Sequence, residues 1–556
     1  MNFRKYIAAA LVVVLAVPTV AQKVKTASSS QHKIENITDV DAAIKGIEAI
    51  VHNSLADVEP IVAQICESQQ TKKQKCPEIY VGAANAFWTK SGIGDTTYAQ
   101  RYIDKAIAIA PHYAPAYILK GDIYKWANNI VVAENYYKKA MEIAPTDIRG
   151  YNKYIAFKEI GLDKMCKDAM DFQVPEEIEE ARVRRGEVEA IMKKAKENIP
   201  SYQYELEMAR LYYTYSITSN ELAKSLTLYQ EACQDSLDEE DYTYMTGILY
   251  GFTKGADNAT TKLNNYEKML QICDNGLARF PKSYYILSNG LVNSNAAYNL
   301  VNGQRGEGFG EYKKNFSTKA LEYAERLMAT KDTLISNGDI YNYGQALIHR
   351  NKYDEGINVL KDLTSSPTAT ENQVSNAMNL ICTAYGELGE YDKAENAYEE
   401  LIATLEKKGT LQLGHFFDYA TMLTTQAEES VGQEQVNVYM KADKVYERGA
   451  ETFPEEAPRF YYFQMNLRAN PVLDPDGTYE LRLVPAKKIF KILGSKSSLS
   501  STELSILGAS LGPLVNYYLK KQNYAAVKPY LLKWHELEPD NEQITNLLRN
   551  KCKVKL

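Results

Sequence analysis

Residues 114–145 read APAYILKGDIYKWANNIVVAENYYKKAMEIAP, and they carry the clearest structural pattern in the chain. Small and aromatic residues recur in this stretch at the spacing of two amphipathic helices, which a short polar turn separates. A proline closes the second helix, because its ring carries no N–H to continue the helical hydrogen bonds. The pattern positions are Tyr117, Gly121 and Tyr124 on the first helix, and Ala133, Tyr137, Ala140 and Pro145 on the second.

This pattern resembles the tetratricopeptide repeat (TPR), a helix-turn-helix unit. The family has an aromatic residue, Gly and Tyr on helix A, and Ala, an aromatic residue, Ala and a terminal Pro on helix B. One such unit cannot bury its own apolar face, so the resemblance implies further copies stacked on it. It therefore implies an all-α fold, a right-handed superhelical solenoid of helix-turn-helix repeats. The inner wall of such a solenoid is lined by A helices and serves binding rather than chemistry.

Further copies of the pattern recur along the chain. One copy precedes the first, from Tyr80 to Pro111, and two follow in register over 340–360 and 378–401. A last copy closes the chain. The pattern positions singled out in these later copies are Gly344, Tyr385, Gly389, Ala394, Tyr398 and Pro539.

Two other copies are stretched, with about ten extra residues between the positions expected on helix A and those expected on helix B. In one, Gly247 lies on helix A and Pro281 closes helix B. In the other, Ala420 and Pro454 hold the same positions. The matched residues lie 173 apart in both cases, which indicates an internal duplication of a multi-repeat block.

Changes in composition and periodicity divide the chain into eight segments. Dense charge of both signs over 177–197 favours a solvated helix with ion pairs between successive turns, and a flexible connector is the alternative. The predicted segments are a signal peptide (1–21), an N-terminal helical segment (22–76), TPR-like repeats (77–160), a charged helical connector (161–200), degenerate TPR-like repeats with long insertions (201–333), TPR-like repeats (334–468), an irregular interruption (469–500), and a C-terminal TPR-like repeat with its cap (501–556).

The N-terminus has the form of an export signal. Arg4 and Lys5 supply positive charge, and Ile7–Val17 is an apolar run that is too short to span a bilayer. Small residues then lead to Ala21, after which we expect cleavage. No cysteine precedes Cys66, so a lipid anchor is not expected. The sequence predicts an exported bacterial protein, periplasmic or secreted, that is not a lipoprotein.

Composition narrows the class of partner. The 556 residues carry a net charge of -7 with 45% hydrophobic and 24% charged residues, which is ordinary for a folded soluble chain. No basic tract stands out, so nucleic acid is not an expected partner. No later apolar stretch reaches the length of a membrane span. We expect a monomer or a weak dimer whose partners are other proteins or peptides.

Signatures of catalysis are missing. The chain has no G-x-S-x-G, H-E-x-x-H, phosphate-loop or dinucleotide-binding motif, so we predict no enzyme, no catalytic residues and no cofactor. No C-x-x-C pair exists and the six histidines are dispersed, so a metal site is not expected. Cys66 and Cys76 bracket a polar segment, and an exported chain permits a disulfide across it.

The resemblance implies that helix-A positions not used in packing face the groove. Ile118 and Asp122 stand where the family's carboxylate-binding members carry Lys and Asn, so capture of a C-terminal carboxylate is not expected. The main hypothesis is a non-catalytic scaffold; the alternative is a glycan- or peptide-binding protein with stacking aromatic residues. A wide polar wall favours the first and one deep aromatic pocket the second. The predicted groove residues are Asp122, Lys125, Trp126, Tyr341, Gln345, His349, Asn379 and Thr383.

Overall fold

The computed structural model describes residues 40–51, 55–70, 75–90, 96–302, 304 and 309–555. These residues contain 26 α-helices and no β-strand. The predicted signal peptide lies outside them. The helices are α1 Val40–Ile50, α2 Leu55–Ser68, α3 Pro77–Lys90, α4 Thr96–Ile109, α5 Ala114–Trp126, α6 Ile130–Ile143, α7 Ile148–Lys158, α8 Leu162–Phe172, α9 Pro175–Asn198, α10 Tyr204–Thr214, α11 Ser219–Glu231, α12 Glu239–Gly255, α13 Ala259–Arg279, α14 Tyr284–Asn302, α15 Phe309–Thr330, α16 Asn337–His349, α17 Tyr353–Thr364, α18 Glu371–Glu387, α19 Tyr391–Lys408, α20 Leu413–Glu429, α21 Gly432–Thr452, α22 Ala457–Leu467, α23 Leu483–Leu493, α24 Ser501–Lys520, α25 Tyr524–Leu537 and α26 Glu542–Asn550.

Consecutive helices pack as pairs, so the repeating unit is a helical hairpin. The A helices of successive hairpins also contact each other, as α3 does with α5, α5 with α7, α16 with α18, and α18 with α20. The predicted all-α architecture of stacked helix-turn-helix repeats is therefore confirmed for the described residues. The hairpins with the most extensive packing are α3–α4, α5–α6, α10–α11, α12–α13, α16–α17, α18–α19 and α20–α21.

Among the turns that the structure describes, four reverse the chain between two helices in the same way. In each, one residue takes a left-handed backbone conformation, and the N–H that follows it bonds back to a carbonyl five residues earlier. This bond closes helix A by satisfying one of its free carbonyls. The left-handed residues are Asn128 (φ 58°), Asn351 (φ 58°), Gly389 (φ 72°) and Gln522 (φ 53°).

The hairpin α5–α6 shows why its pattern residues are required. A Cβ on Gly121 would lie 2.5 Å from Cε1 of Tyr137, so the ring of helix B fills the space that glycine leaves on helix A. Tyr137 is fully buried and packs on Phe157 of the next hairpin, with ring centroids 5.1 Å apart. Tyr124 instead stacks on Tyr136 of its own hairpin, at 5.5 Å.

The other pattern positions divide into buried residues and exposed helix ends. Pro145 and Pro539 are exposed and follow the last turn of a B helix. Gly389 is also exposed, because it belongs to a turn. Tyr385 is half-buried. The buried positions are Tyr117, Ala133, Ala140, Gly344, Ala394 and Tyr398.

The stretched repeats differ from the expectation in where their extra residues lie. No long insertion separates the helices; instead α12 and α20 have 17 residues each, and α13 and α21 have 21 each. The helices themselves are lengthened, because their apolar periodicity continues through the added turns. The equal lengths agree with the predicted duplication.

The charged segment and the predicted interruption also differ in part from what the sequence predicts for them. The charged segment forms the continuous helix α9, which buries one face through Ala181, Val188 and Met192. The interruption predicted over 469–500 is irregular only at its ends, because α23 lies inside it and buries Pro485, Ala486 and Ile489, among others.

The chain forms two compact units, which divide between Ile286 and Leu287 within α14. The first unit contains α1–α13 and the second contains α15–α26. The second has a continuous core that runs from Cys382 on α18 to Leu514 on α24. None of the described helices combines the length and the apolar character needed to cross a bilayer.

Candidate binding groove

The A helices of the first unit line a cavity of about 700 Å³. Its walls come from α1, α3, α5 and α7, which are successive inner helices. The lining mixes apolar, amide and charged side chains. It comprises Ile44, Glu78, Val81, Gly82, Asn85, Tyr113, Pro115, Ile118, Leu119, Asp122, Arg149, Asn152, Lys153 and Ala156.

Three A helices contribute residues at the same four positions of the repeat. The four lining residues of α7 lie 34 residues after those of α5, which is the length of a TPR. The four lining residues of α3 lie 37 residues before those of α5. Repetition of the hairpin therefore places equivalent side chains side by side along the wall. The sets are Glu78, Val81, Gly82 and Asn85; Pro115, Ile118, Leu119 and Asp122; and Arg149, Asn152, Lys153 and Ala156.

A second cavity of about 710 Å³ continues the first. It is lined by α7, α9, α10 and the turn over 199–203. Asn152 and Ala156 belong to both cavities and are exposed. The two cavities therefore form one surface, which we call the groove.

Three of the four charged side chains that line the first cavity are in ion pairs, and the fourth, Glu78, is exposed. Lys153 Nζ lies 2.7 Å from Asp122 Oδ1, and the Tyr137 hydroxyl donates to the same carboxylate at 2.7 Å. Arg149 pairs with Asp147 at 2.7 Å. This part of the groove therefore presents paired charges rather than a strong field of one sign.

The second cavity is acidic. Glu159 and Glu207 line it together with Arg210. Burial raises the pKa of Glu159, and the neighbouring Glu207 raises it further. Burial also raises the pKa of Glu207, which Arg210 opposes. Two half-buried carboxylates thus share one pocket.

Removing the charge of Glu159 is expected to stabilise the fold more at about pH 7 than at about pH 4. Because the folded pKa lies above the ordinary 4.5, the ionised carboxylate destabilises the fold fully above the folded pKa. That effect disappears as the pH falls below 4.5. Urea unfolding of Glu159→Gln at both pH values measures it, with Glu176→Gln on the exposed first turn of α9 as the control. A stability gain independent of pH contradicts this prediction.

The structure separates the three groove residues predicted on α5. Asp122 lines the groove. Lys125 and Trp126 lie in the last turn of α5, are exposed, and are not among the lining residues of either cavity. Trp126 is 60% exposed, and the turn that follows it is exposed as well.

The residues predicted in the second unit lie on α16 and α18. Tyr341, Gln345 and Asn379 are half-buried, and the exposed Thr383 donates to the Asn379 carbonyl at 3.1 Å. His349, predicted to face the groove, is half-buried and stacks on Tyr298 with ring centroids 3.8 Å apart. Burial lowers the pKa of His349 to about 4, so the ring is neutral at physiological pH.

The two cysteines of the predicted disulfide are free thiols here. Both are buried, and burial raises the pKa of Cys66 to about 12. Their pairing stays a prediction. No group of three His, Cys, Asp or Glu side chains in the described part of the chain could hold a metal ion.

Most of the residues that line the groove were not predicted from the sequence. Arg149, Asn152 and Lys153 could have been found by adding one repeat length to Pro115, Ile118 and Leu119. Glu207 and Tyr202 could not be found in this way. Glu207 lies on α10 and Tyr202 lies in the turn between α9 and α10, and neither follows the 34-residue spacing from α5.

The tetratricopeptide repeat family model matches residues 114–147. The match covers the hairpin α5–α6 and the turn that follows it, so this hairpin is similar to a TPR. The sequence has no match among curated proteins.

Three solved structures are among the matches to this chain. The C-terminal part of a TPR repeat-containing protein from Cytophaga hutchinsonii is 14% identical, with 54% of this chain and 98% of that chain covered and a TM-score of 0.35. Yeast Tom70 is 12% identical, with 87% and 98% covered and a TM-score of 0.29. A human IFIT1 dimer with m7Gppp-AAAA is 13% identical, with 79% and 90% covered and a TM-score of 0.29. At these TM-scores the likenesses say nothing about the function of this chain.

Proposed function

We propose that this protein is a non-catalytic, exported TPR scaffold that mediates protein–protein interaction in the bacterial envelope through its groove. One observation carries the proposal: Asn152 and Ala156 belong to both cavities, so one concave wall continues from α1 to α10. An extended segment of a partner needs such a wall, with side-chain sites at repeated intervals.

The character of the lining supports a protein partner over a glycan. Among the described residues that line the two cavities, the aromatic ones are Tyr113, Tyr202 and Tyr215, and they are spread among amide, charged and aliphatic side chains. A sugar site would need aromatic faces gathered in one deep pocket. Glycan or peptide binding at the cell surface remains the competing hypothesis.

Export is supported by the charged and apolar pattern of the N-terminus. We expect the mature chain to begin at Gln22 and to fractionate with the periplasm or the medium. Fractionation of the native cells, followed by N-terminal sequencing, measures both. An uncleaved chain in the cytoplasmic fraction contradicts the proposed setting.

The groove is tested by affinity purification of the tagged chain from its own cell envelope, with partners identified by mass spectrometry. Asn152→Arg places a bulky cation where the cavities join and is expected to remove the partners. Asn135→Arg is the matched control, because Asn135 is exposed on α6 and lines neither cavity. Recovery of no protein by the wild type, together with tight oligosaccharide binding in calorimetry, would overturn the scaffold assignment.

A further inference from the structure

The second cavity of the groove combines an apolar floor with an acidic rim. Ile155, Met192 and Leu211 are buried side chains that line it. Glu159 and Glu207 are half-buried and line it as well. A ligand that fills this cavity must therefore cover aliphatic surface and also meet negative charge.

Ion pairs within the protein do not fully compensate the negative charge of Glu159 and Glu207. None of the described lysine, arginine or histidine side chains forms an ion pair with Glu159. Arg210 Nη1 lies 3.4 Å from Glu207, but its Nη2 lies 2.6 Å from Asp238 and 2.7 Å from Asp241. One guanidinium thus serves three carboxylates, and Glu159 remains without a cation.

Two tyrosines lie within reach of these carboxylates. Burial raises the pKa of Tyr215 to about 12, and Glu159 adds to that shift. Burial also raises the pKa of Tyr202, with Glu207 and Glu159 as further causes. Aromatic rings beside carboxylates are a favourable surrounding for an organic cation.

We propose that this pocket receives a lysine or arginine side chain of a bound protein segment, with the aliphatic stem on the apolar floor and the cation at Glu159 and Glu207. This inference rests on the proposed function, because it names the side chain that the groove selects. The first cavity offers no such site, since its Asp122 is already paired with Lys153 and its other carboxylate, Glu78, is exposed.

Other occupants satisfy the pocket less well. An apolar side chain would cover the floor but would bury Glu159 without a cation, which is costly. A small inorganic cation would neutralise the carboxylates but would leave the apolar floor in contact with water. A basic side chain does both, because its stem is apolar and its head is charged.

The experiment measures binding of fluorescein-labelled nonapeptide libraries to the purified full-length chain. The central position is fixed as lysine, arginine, norleucine or glutamate, and the other positions are randomised. Norleucine keeps the stem of lysine and removes its charge. We expect the lysine and arginine libraries to bind about tenfold more tightly than the norleucine library.

The variant Glu159→Gln/Glu207→Gln is expected to lose this preference and to keep its binding of the norleucine library. Glu176→Gln/Glu177→Gln removes the same charge from the exposed first turn of α9 and should keep the preference. Circular dichroism checks that both variants are folded.

Two results would overturn the inference alone: equal binding of the lysine and norleucine libraries, or a preference that survives in Glu159→Gln/Glu207→Gln. In either case binding that Asn152→Arg abolishes would leave the proposed function standing. Absence of binding by every library would overturn both.

Discussion

Replacing Arg468 by methionine is expected to lower the free energy of unfolding of the second unit by about 3–5 kcal/mol. Arg468 donates from Nε to Asp443 Oδ1 at 2.6 Å and from Nη2 to Oδ2 at 2.7 Å. Asp443 is only 3% exposed, and Gln464 would remain as a side-chain donor to it, at 3.2 Å. The loss comes from leaving a buried carboxylate without its cation, because a charge in a low-dielectric core is costly.

Urea unfolding followed by circular dichroism measures this loss. Arg459→Met is the matched control: Arg459 lies on the same helix, α22, is exposed, and rests 5.4 Å from the centre of the Phe417 ring. We expect the control to change stability by less than about 1 kcal/mol. Removing both charges in Arg468→Met/Asp443→Leu should recover part of the loss. An unfolding curve of Arg468→Met that matches the wild type would contradict the account.

Gly121→Ala is expected to destabilise the first unit by about 1–3 kcal/mol. The new Cβ would lie 2.5 Å from Cε1 and 2.8 Å from Cδ1 of Tyr137. The ring cannot turn aside at low cost, because it is fully buried and its hydroxyl donates to Asp122. Larger residues at this position should cost at least as much.

Gly186→Ala provides the matched control for this substitution. Gly186 is exposed in the interior of α9, and a Cβ there would meet nothing within 4 Å. Alanine should therefore stabilise the helix by about 0.5–1 kcal/mol through its higher helix propensity. Thermal unfolding of both variants is expected to give shifts of opposite sign. A neutral or stabilising effect of Gly121→Ala would show that the helices do not cross as described.

The hairpin pattern was predictable because it depends on neighbours within one repeat. Gly121 and Tyr137 lie 16 residues apart, and the close helix crossing requires a small residue opposite a large one. The turn at Gly389 was predictable for a similar reason, since glycine accepts a positive φ at no cost. Gln522 adopts the same conformation, but glutamine gives little warning of it, because it rarely takes a positive φ.

Other features needed the tertiary structure. The stretched repeats were expected to carry insertions, because a helix that grows by whole turns keeps the same periodicity as its shorter relatives. The acidic pocket brings together Glu159 and Glu207 from different helices. The ion pair of Arg468 and Asp443 likewise joins α21 to the end of α22. Single polar residues on a helix cannot reveal which of them converge.

We expect the inner wall of A helices to hold a partner protein in the cell. This expectation is tested most directly by photocrosslinking in the native cells, with a benzophenone amino acid placed at position 152 or position 135. The account predicts a discrete protein adduct from position 152, in the groove, and none from position 135, on the outer helix α6. An adduct formed only from position 135, or none from either position, would contradict it.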